Sequence, residues 1–184
     1  EGVFEEGRNL LTESLVPGTK HFDEETRNEK GKEYRIWNPK KSKLAAAIVK
    51  GLNIMPIKKG DVVLYLGAAH GYTVSFISDI AGPEGFVFAI DFAPRVVRDL
   101  VFVAEKRRNI APMLEDANQP GNYKDKITKV DVVYQDVAQR NQVEILQKNA
   151  GMFLKPSGYA IVAIKARSID SVRNPSLIFQ EVKE

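Results

Sequence analysis

The chain reads Val62-Val-Leu-Tyr-Leu-Gly-Ala-Ala-His-Gly71, an apolar run that ends in a turn with two glycines, and then Phe86-Val-Phe-Ala-Ile-Asp91. A strand, a glycine-containing turn, a helical segment and a second strand ending in an acid form the pattern of a nucleotide-binding β-α-β unit. Glycines let the backbone approach a ligand, and the acid can accept hydrogen bonds from ribose hydroxyls. This stretch therefore predicts a nucleotide-containing cofactor.

The same alternation of apolar strands and helical segments continues on both sides. Strands are predicted at 62–66, 86–90, 110–114, 130–134 and 159–164. Helices are predicted at 42–51, 73–80, 94–108 and 139–153, and residues 118–125 are predicted to form an exposed loop. Apolar strands that alternate with amphipathic helices predict an α/β, Rossmann-like fold with a mostly parallel sheet that is covered on both faces.

Residues 1–41 differ from the rest because they are charged and rich in turns, with short apolar pieces such as Asn9-Leu-Leu-Thr12. We predict a small β-rich N-terminal domain over 1–41 and a second domain over 42–184. The last predicted element is a helix near residue 184 with no strand after it. The C-terminal end of the second domain is therefore expected to be incomplete.

Composition excludes several classes of protein. The 184 residues include 27 Lys and Arg against 24 Asp and Glu, a balance that mildly favours an acidic partner such as nucleic acid. Cysteine is absent, which excludes disulfides and thiolate metal sites, and we expect no metal centre. No apolar run approaches the roughly 20 residues of a membrane span, and the first residues do not resemble a signal peptide.

Polar residues follow each predicted strand, where ligands of open α/β sheets bind. They are Gly67 to Gly71, Asp91, Glu115 with Asp116, Gln135 with Asp136, and Lys165. The turn lacks the G-x-G-x-x-G pattern of dinucleotide sites, and Asp116 can accept a hydrogen bond from an adenine amino group. A rim of carboxylates suits a sulfonium cation better than a pyrophosphate. The sequence therefore favours S-adenosylmethionine over a nicotinamide cofactor.

Three of the charged residues form a candidate catalytic set, Lys43, Asp136 and Lys165. Asp136 and Lys165 follow neighbouring strands, and Lys43 begins a helix that can cap the same cleft. Beside a methyl donor, two lysines and an aspartate suit transfer to a hydroxyl, because a base must remove the hydroxyl proton. The same residues are equally consistent with salt bridges at the strand ends that have no catalytic role.

Several separate motifs together resemble the fibrillarin family. They are Trp37-Asn-Pro39, Ser42-Lys-Leu-Ala-Ala46, Tyr65-Leu-Gly-Ala68, Ser78-Asp-Ile80, Gly82-Pro-Glu-Gly85, Asp136-Val-Ala-Gln139, Ile164-Lys-Ala166 and Ile169-Asp170. The resemblance extends from the N-terminal region to about Ser171. Because residues 1–41 contain no glycine- and arginine-rich segment, we expect the archaeal form.

The resemblance implies a class I methyltransferase fold behind a small β-rich domain. It also implies S-adenosylmethionine-dependent methylation of ribose 2′-hydroxyls of ribosomal and transfer RNA within a box C/D guide ribonucleoprotein. The implied partners are a Nop-domain scaffold protein, a kink-turn-binding protein, a guide RNA and a substrate RNA, in the cytoplasm of an archaeal cell. A structural subunit with weak or lost catalysis is the alternative, because Ala69, His70 and Tyr72 replace serines and threonines that are usual in the family.

The predicted site can be stated residue by residue. The glycine turn contributes Gly67 and Ala68 as cofactor-binding residues. The resemblance implies further cofactor contacts at Tyr72, Thr73, Asp91, Phe92, Asp116, Ala117, Asp136, Val137, Ala138 and Gln139. It implies a catalytic lysine, aspartate and lysine at Lys43, Asp136 and Lys165, the three residues also indicated by the strand ends.

Overall fold

The N-terminal part of the chain forms an antiparallel sheet. The computed structural model describes residues 2–7 and 9–183. The strands of this first sheet are β1 (Phe4–Glu6), β2 (Asn9–Glu13), β3 (Thr26–Glu29) and β4 (Lys32–Trp37), arranged in the order β1-β2-β4-β3. The predicted β-rich N-terminal region is thus confirmed.

The second sheet has five parallel strands, as the sequence predicts. They are β5 (Val62–Leu66), β6 (Phe86–Asp91), β7 (Ile110–Leu114), β8 (Val130–Gln135) and β9 (Leu154–Val162), and their order is β7-β6-β5-β8-β9. The direction of winding reverses between β5 and β8, which pair in parallel. Loops after two such strands leave in opposite directions, so a cleft opens at their carboxyl ends.

Six helices accompany these strands in the described part of the chain. They are α1 (Lys43–Val49), α2 (Tyr72–Ala81), α3 (Pro94–Lys106), α4 (Gln142–Phe153), α5 (Ala166–Ile169) and α6 (Pro175–Lys183). Helix α1 begins after an N-cap, Ser42, whose Oγ accepts a hydrogen bond from the Ala45 amide at 3.3 Å. Between residues 2 and 183, position 8 aside, we find no helix that combines the length and apolar character needed to cross a membrane.

The two sheets share one hydrophobic core. Leu10 and Trp37 of the N-terminal sheet belong to the same buried cluster as Phe76 of α2. The rings of Trp37 and Phe76 are stacked, with centroids 5.2 Å apart. The boundary predicted after residue 41 falls between β4 and α1, and it stays a prediction.

A buried ion cluster also joins the two sheets. It consists of Glu24, Arg35, Asp79 and Arg107, whose side chains are 0% exposed. Arg35 contacts Glu24 at 2.8 Å and one oxygen of Asp79 at 2.7 Å, while Arg107 contacts the other oxygen of Asp79 at 2.6 Å. The cluster therefore fixes β4 against α2 and the end of α3.

Two local predictions were wrong. Strand β9 begins at Leu154, directly after α4, and not at residue 159, because Leu154 pairs with Val130 before a bulge interrupts the ladder. The predicted loop 118–125 contains a 3-10 turn, Pro120–Tyr123, in which Tyr123 is fully buried. The hydroxyl of Tyr123 donates to Asn149 Oδ1 at 2.5 Å, so its polar atom is satisfied inside the protein.

Candidate functional site

A cleft lies at the carboxyl ends of the five strands of the parallel sheet, β5 to β9. It is lined by Gly67, Ala69, Ile90, Asp91, Phe92, Glu115, Ala117, Asp136, Val137, Ala138, Gln139 and Lys165. Most of these residues were predicted from the sequence to contact a cofactor or to act in catalysis. The segments after five strands therefore converge on one site, as expected for an open α/β sheet.

The glycine turn is in backbone contact with the loop that carries Asp136. Gly67 has a φ of +83°, a left-handed conformation that favours glycine. A Cβ on Gly67 would lie 2.6 Å from the carbonyl oxygen of Asp136. The Asp136 amide donates to the carbonyl of Leu66 at 2.9 Å, so the turn and the catalytic candidate are held at a fixed separation.

We expect Gly67→Ala to destabilise the protein by at least about 1–2 kcal/mol, because the left-handed backbone is strained for alanine and the new methyl group meets the Asp136 carbonyl. Urea unfolding measures the change. Gly151→Ala is the matched control, because Gly151 is helical and nothing lies within 4 Å of its Cβ position. The control should be as stable as the wild type or up to about 1 kcal/mol more stable. Equal stability of the Gly67 variant would contradict the close contact.

Asp91 holds the glycine turn while it lines the cleft. Its Oδ2 accepts from the Ala69 amide at 2.9 Å, and its Oδ1 accepts from the Ala93 amide at 3.0 Å. Ala69 has a positive φ of 49°, which this hydrogen bond supports. Each carboxylate oxygen has a second lone pair, so Asp91 can still accept hydrogen bonds from ribose hydroxyls. The neighbouring Phe92 is 65% exposed and offers a flat apolar face for a base.

A hydrogen-bond network closes the rim between the loops after β7 and β8. Asn118 donates through Nδ2 to Gln139 Oε1 at 2.6 Å and to Asp116 Oδ1 at 3.1 Å, and its Oδ1 accepts from Asn141 at 2.7 Å. Asp116 thus stabilises its own turn, while its neighbour Glu115 lines the cleft. The sequence analysis places Glu115 at this edge of the sheet, directly after a strand, but assigns the cofactor contact to Asp116 and not to Glu115.

The structure brings the three catalytic candidates together around Asp136. Lys43 Nζ lies 3.0 Å from Asp136 Oδ2, and Lys165 Nζ lies 2.9 Å from Asp136 Oδ1. Lys165 Nζ also donates to the backbone carbonyl of Asp136 at 3.1 Å. The side chain of Asp136 is only 15% exposed, compared with 50% for Lys43 and 27% for Lys165. One carboxylate therefore orients two ammonium groups at the edge of the cleft.

Four of the predicted cofactor residues do not line the cleft themselves. Ala68, Tyr72, Thr73 and Asp116 are not among the described residues that line the cleft. Tyr72 accepts a hydrogen bond from the Asn38 amide at 3.2 Å and lines a different cavity. Thr73 donates to the Ser42 hydroxyl at 3.1 Å, so it stabilises the start of the helix that carries Lys43. A cofactor contact at these four positions stays a prediction.

Two buried tyrosines lie beneath the catalytic candidates. The rings of Tyr65 and Tyr134 are 4.7 Å apart and almost fully buried. Burial raises the pKa of both hydroxyls, and the negative charge of Asp136 raises each pKa further. Both phenols are therefore neutral at physiological pH.

Comparison with known proteins gives a family model and a relative that agree with each other. A model of the Fibrillarin family matches residues 1–184. The fibrillarin-like rRNA/tRNA 2′-O-methyltransferase of Methanocaldococcus jannaschii is 54% identical over 177 residues, which are 96% of this chain and 76% of that protein.

Two solved structures are also similar. The structure of Aeropyrum pernix fibrillarin in complex with natively bound S-adenosyl-L-methionine has a TM-score of 0.88 and 47% identity, and the match covers 95% of this chain and 76% of that one. A chain of a fibrillarin/Nop5p complex has a TM-score of 0.90 and 40% identity, with 99% and 83% covered.

Proposed function

This chain belongs to the fibrillarin family, and we propose on that basis that it transfers a methyl group from S-adenosylmethionine to ribose 2′-hydroxyls of ribosomal and transfer RNA. The observation that carries the proposal is the convergence of Lys43, Asp136 and Lys165 at the edge of the cleft. Methylation of a hydroxyl needs a base and a group that orients it, and both are present there.

The residues of the cleft fit the cofactor. When bound, S-adenosylmethionine supplies an electrophilic methyl group on a positively charged sulfur. Asp91 can accept hydrogen bonds from the ribose hydroxyls of the cofactor, and Phe92 can stack on its adenine. Gly67 presents no side chain to the methionine end, and the carboxylates of Asp91, Glu115 and Asp136 favour a cation.

We assign the proton transfer to Lys165. This lysine lines the cleft and contacts Asp136 through two oxygen atoms, whereas Lys43 is more exposed. In its neutral form, Lys165 Nζ would accept the proton of the ribose hydroxyl as the ribose oxygen takes the methyl group. The bond from the methyl carbon to the sulfonium sulfur would break at the same time, which leaves a neutral thioether on the cofactor and a protonated Lys165. Asp136 holds Nζ in place, and Lys43 contacts the other carboxylate oxygen of Asp136.

We further propose that the enzyme acts within a box C/D ribonucleoprotein in the cytoplasm of an archaeal cell. Its partners would be a Nop-domain scaffold protein, a kink-turn-binding protein, a guide RNA and a substrate RNA. A similar chain occurs in a complex with Nop5p, which supports the scaffold. The formal net charge of the chain is only +3. This modest positive charge suffices for binding the RNA backbone if base pairing with the guide selects the sequence.

The proposed activity is tested with radiolabelled S-adenosylmethionine and the reconstituted ribonucleoprotein. Label should enter the RNA at the guided nucleotide. A substrate with a single 2′-deoxy nucleotide at that position should accept no label, because the nucleophile is missing. Equal labelling of both substrates would exclude ribose methylation, and no labelling of either would exclude catalysis.

Cofactor binding separates the enzyme from a purely structural subunit. We expect Asp91→Asn to weaken binding of S-adenosylmethionine by about 10- to 100-fold, which is the contribution of hydrogen bonds to a charged group. Isothermal calorimetry measures the affinity. Asp131→Asn is the control, because Asp131 lies at the opposite end of β8 and is bonded to Lys155 and to the Val62 amide. A wild type that does not bind the cofactor would favour the structural alternative.

A further inference from the structure

We propose that Gln142 is a positioning residue for methyl transfer, which it supports by fixing the backbone of Lys165. The inference rests on the function proposed above. Gln142 is the first residue of α4, and its side chain is fully buried. It lies outside the residues that line the cleft, so its effect must pass through a neighbour.

Lys165 needs such support because the sheet ends before it. The pairing of β8 with β9 finishes at Gln135 and Val162, and the last ladder bond runs from the Ala163 amide to the Gln135 carbonyl at 2.8 Å. Lys165 follows two residues later, where the chain has left the strand and turns into α5. Strand pairing therefore does not fix the position of its backbone.

The Gln142 side chain supplies the missing pair of hydrogen bonds. Its Oε1 accepts from the Lys165 amide at 3.0 Å, and its Nε2 donates to the Lys165 carbonyl at 3.2 Å. The carboxamide thus pairs with both the N–H and the C=O of one residue, as the backbone of an opposing residue in a neighbouring strand would. Both bonds end on Lys165, the residue to which we assign proton transfer.

Gln142 is itself anchored to the other half of the catalytic set. Its backbone carbonyl accepts from Gln135 Nε2 at 2.6 Å, and Gln135 is a fully buried residue directly before Asp136. The chain of contacts therefore runs from the residue before Asp136, through Gln142, to Lys165. This arrangement fixes the backbone of Lys165 relative to that of Asp136. From this position, Lys165 Nζ lies 2.9 Å from Asp136 Oδ1.

The remainder of α4 has its own anchors. Ile145 and Phe153 pack in the core, and Asn149 donates to the carbonyl of Ala117 at 2.9 Å. The helix can therefore stay in place when the Gln142 carboxamide is removed. What changes is the freedom of Lys165.

We expect Gln142→Met, which keeps the length of the side chain, to lower the single-turnover rate of methyl transfer by about 10- to 100-fold, because displacements near 1 Å have effects of this size. The affinities for S-adenosylmethionine and for substrate RNA should stay unchanged. Gln142→Asn, whose side chain is one methylene too short to reach both atoms, should show the same split if the methionine variant does not fold. A rate equal to that of the wild type in a folded variant would overturn the inference.

A double-mutant cycle decides whether Gln142 acts through Lys165. If it does, Gln142→Met should cost nothing further in a Lys165→Met background. Independent, multiplicative losses would overturn the inference while leaving the proposed function intact. An inactive wild-type complex, in contrast, would contradict the proposed function itself.

Asn109→Leu is the control for loss of a buried amide. Asn109 is nearly as buried as Gln142 and donates to the carbonyls of Ser78 and Gly82 at 3.0 and 2.9 Å, at the opposite edge of the sheet. This variant should be less stable but should retain the wild-type rate per folded molecule. A similar loss of rate in the control would show that general destabilisation explains the Gln142 result.

Discussion

Asp136→Asn should lower the single-turnover rate of methyl transfer by about 10²- to 10⁴-fold, the range typical for loss of general acid–base assistance. The substitution keeps the shape of the side chain but removes the charge that holds Lys43 and Lys165 at 3.0 and 2.9 Å. The two lysine side chains would then lie close together without the carboxylate that contacts both. Lys165 would lose the orientation that lets it accept the hydroxyl proton.

The rate is measured with labelled S-adenosylmethionine in the reconstituted complex, and cofactor affinity is measured in parallel by calorimetry. Asp131→Asn provides the control, since the same substitution is made on the same strand at the end away from the cleft. It should leave the rate unchanged. Wild-type activity in the Asp136 variant would show that the two salt bridges are structural only.

Asp79→Ala should reduce the free energy of unfolding by about 3–5 kcal/mol, because truncating one member of a buried ion cluster leaves the remaining charges without compensation. Asp79 contacts Arg35 and Arg107, and all three side chains are 0% exposed. It also accepts hydrogen bonds from Thr12 at 2.8 Å and from the Leu15 amide at 3.0 Å. The substitution therefore loosens the N-terminal sheet as well as α2.

Urea unfolding can follow this change through the fluorescence of Trp37, the single tryptophan, which is fully buried against Phe76. Glu144→Ala is the control, because Glu144 forms an exposed salt bridge with Lys148 one turn along α4. Its unfolding midpoint should match that of the wild type. An equally unchanged midpoint in Asp79→Ala would mean that the ion cluster contributes nothing to stability.

The strands of the parallel sheet and the polar residues at their carboxyl ends were largely predictable from the sequence. Predicted strands at 62–66 and 110–114 match β5 and β7 at both ends, because continuous apolar runs in a parallel sheet are bounded by turn residues. The same logic places polar residues after each strand at one edge. It explains why Asp136 and Lys165, distant in sequence, were expected to meet.

Other features have no local signal in the sequence. Pro156 and Gly158 interrupt the apolar run of β9, so the pairing of Leu154 with Val130 across a bulge is visible only in the structure. Arg35 and Asp79 resemble ordinary surface charges, since charged residues are almost never fully buried unless paired. Only the folded arrangement of β4 and α2 shows that each is the partner of the other.

Helix α2 connects the glycine turn at one of its ends with the buried ion cluster at the other. Its first turn follows the glycine turn at Gly71, and Asp79 of the ion cluster lies near its last turn. A helix of ten residues is a rigid rod about 15 Å long. Because the rod is stiff, we expect a displacement of the N-terminal sheet to shift the glycine turn, whose residues Gly67 and Ala69 line the cleft. The positions of the N-terminal sheet and of the glycine turn are thus coupled through α2.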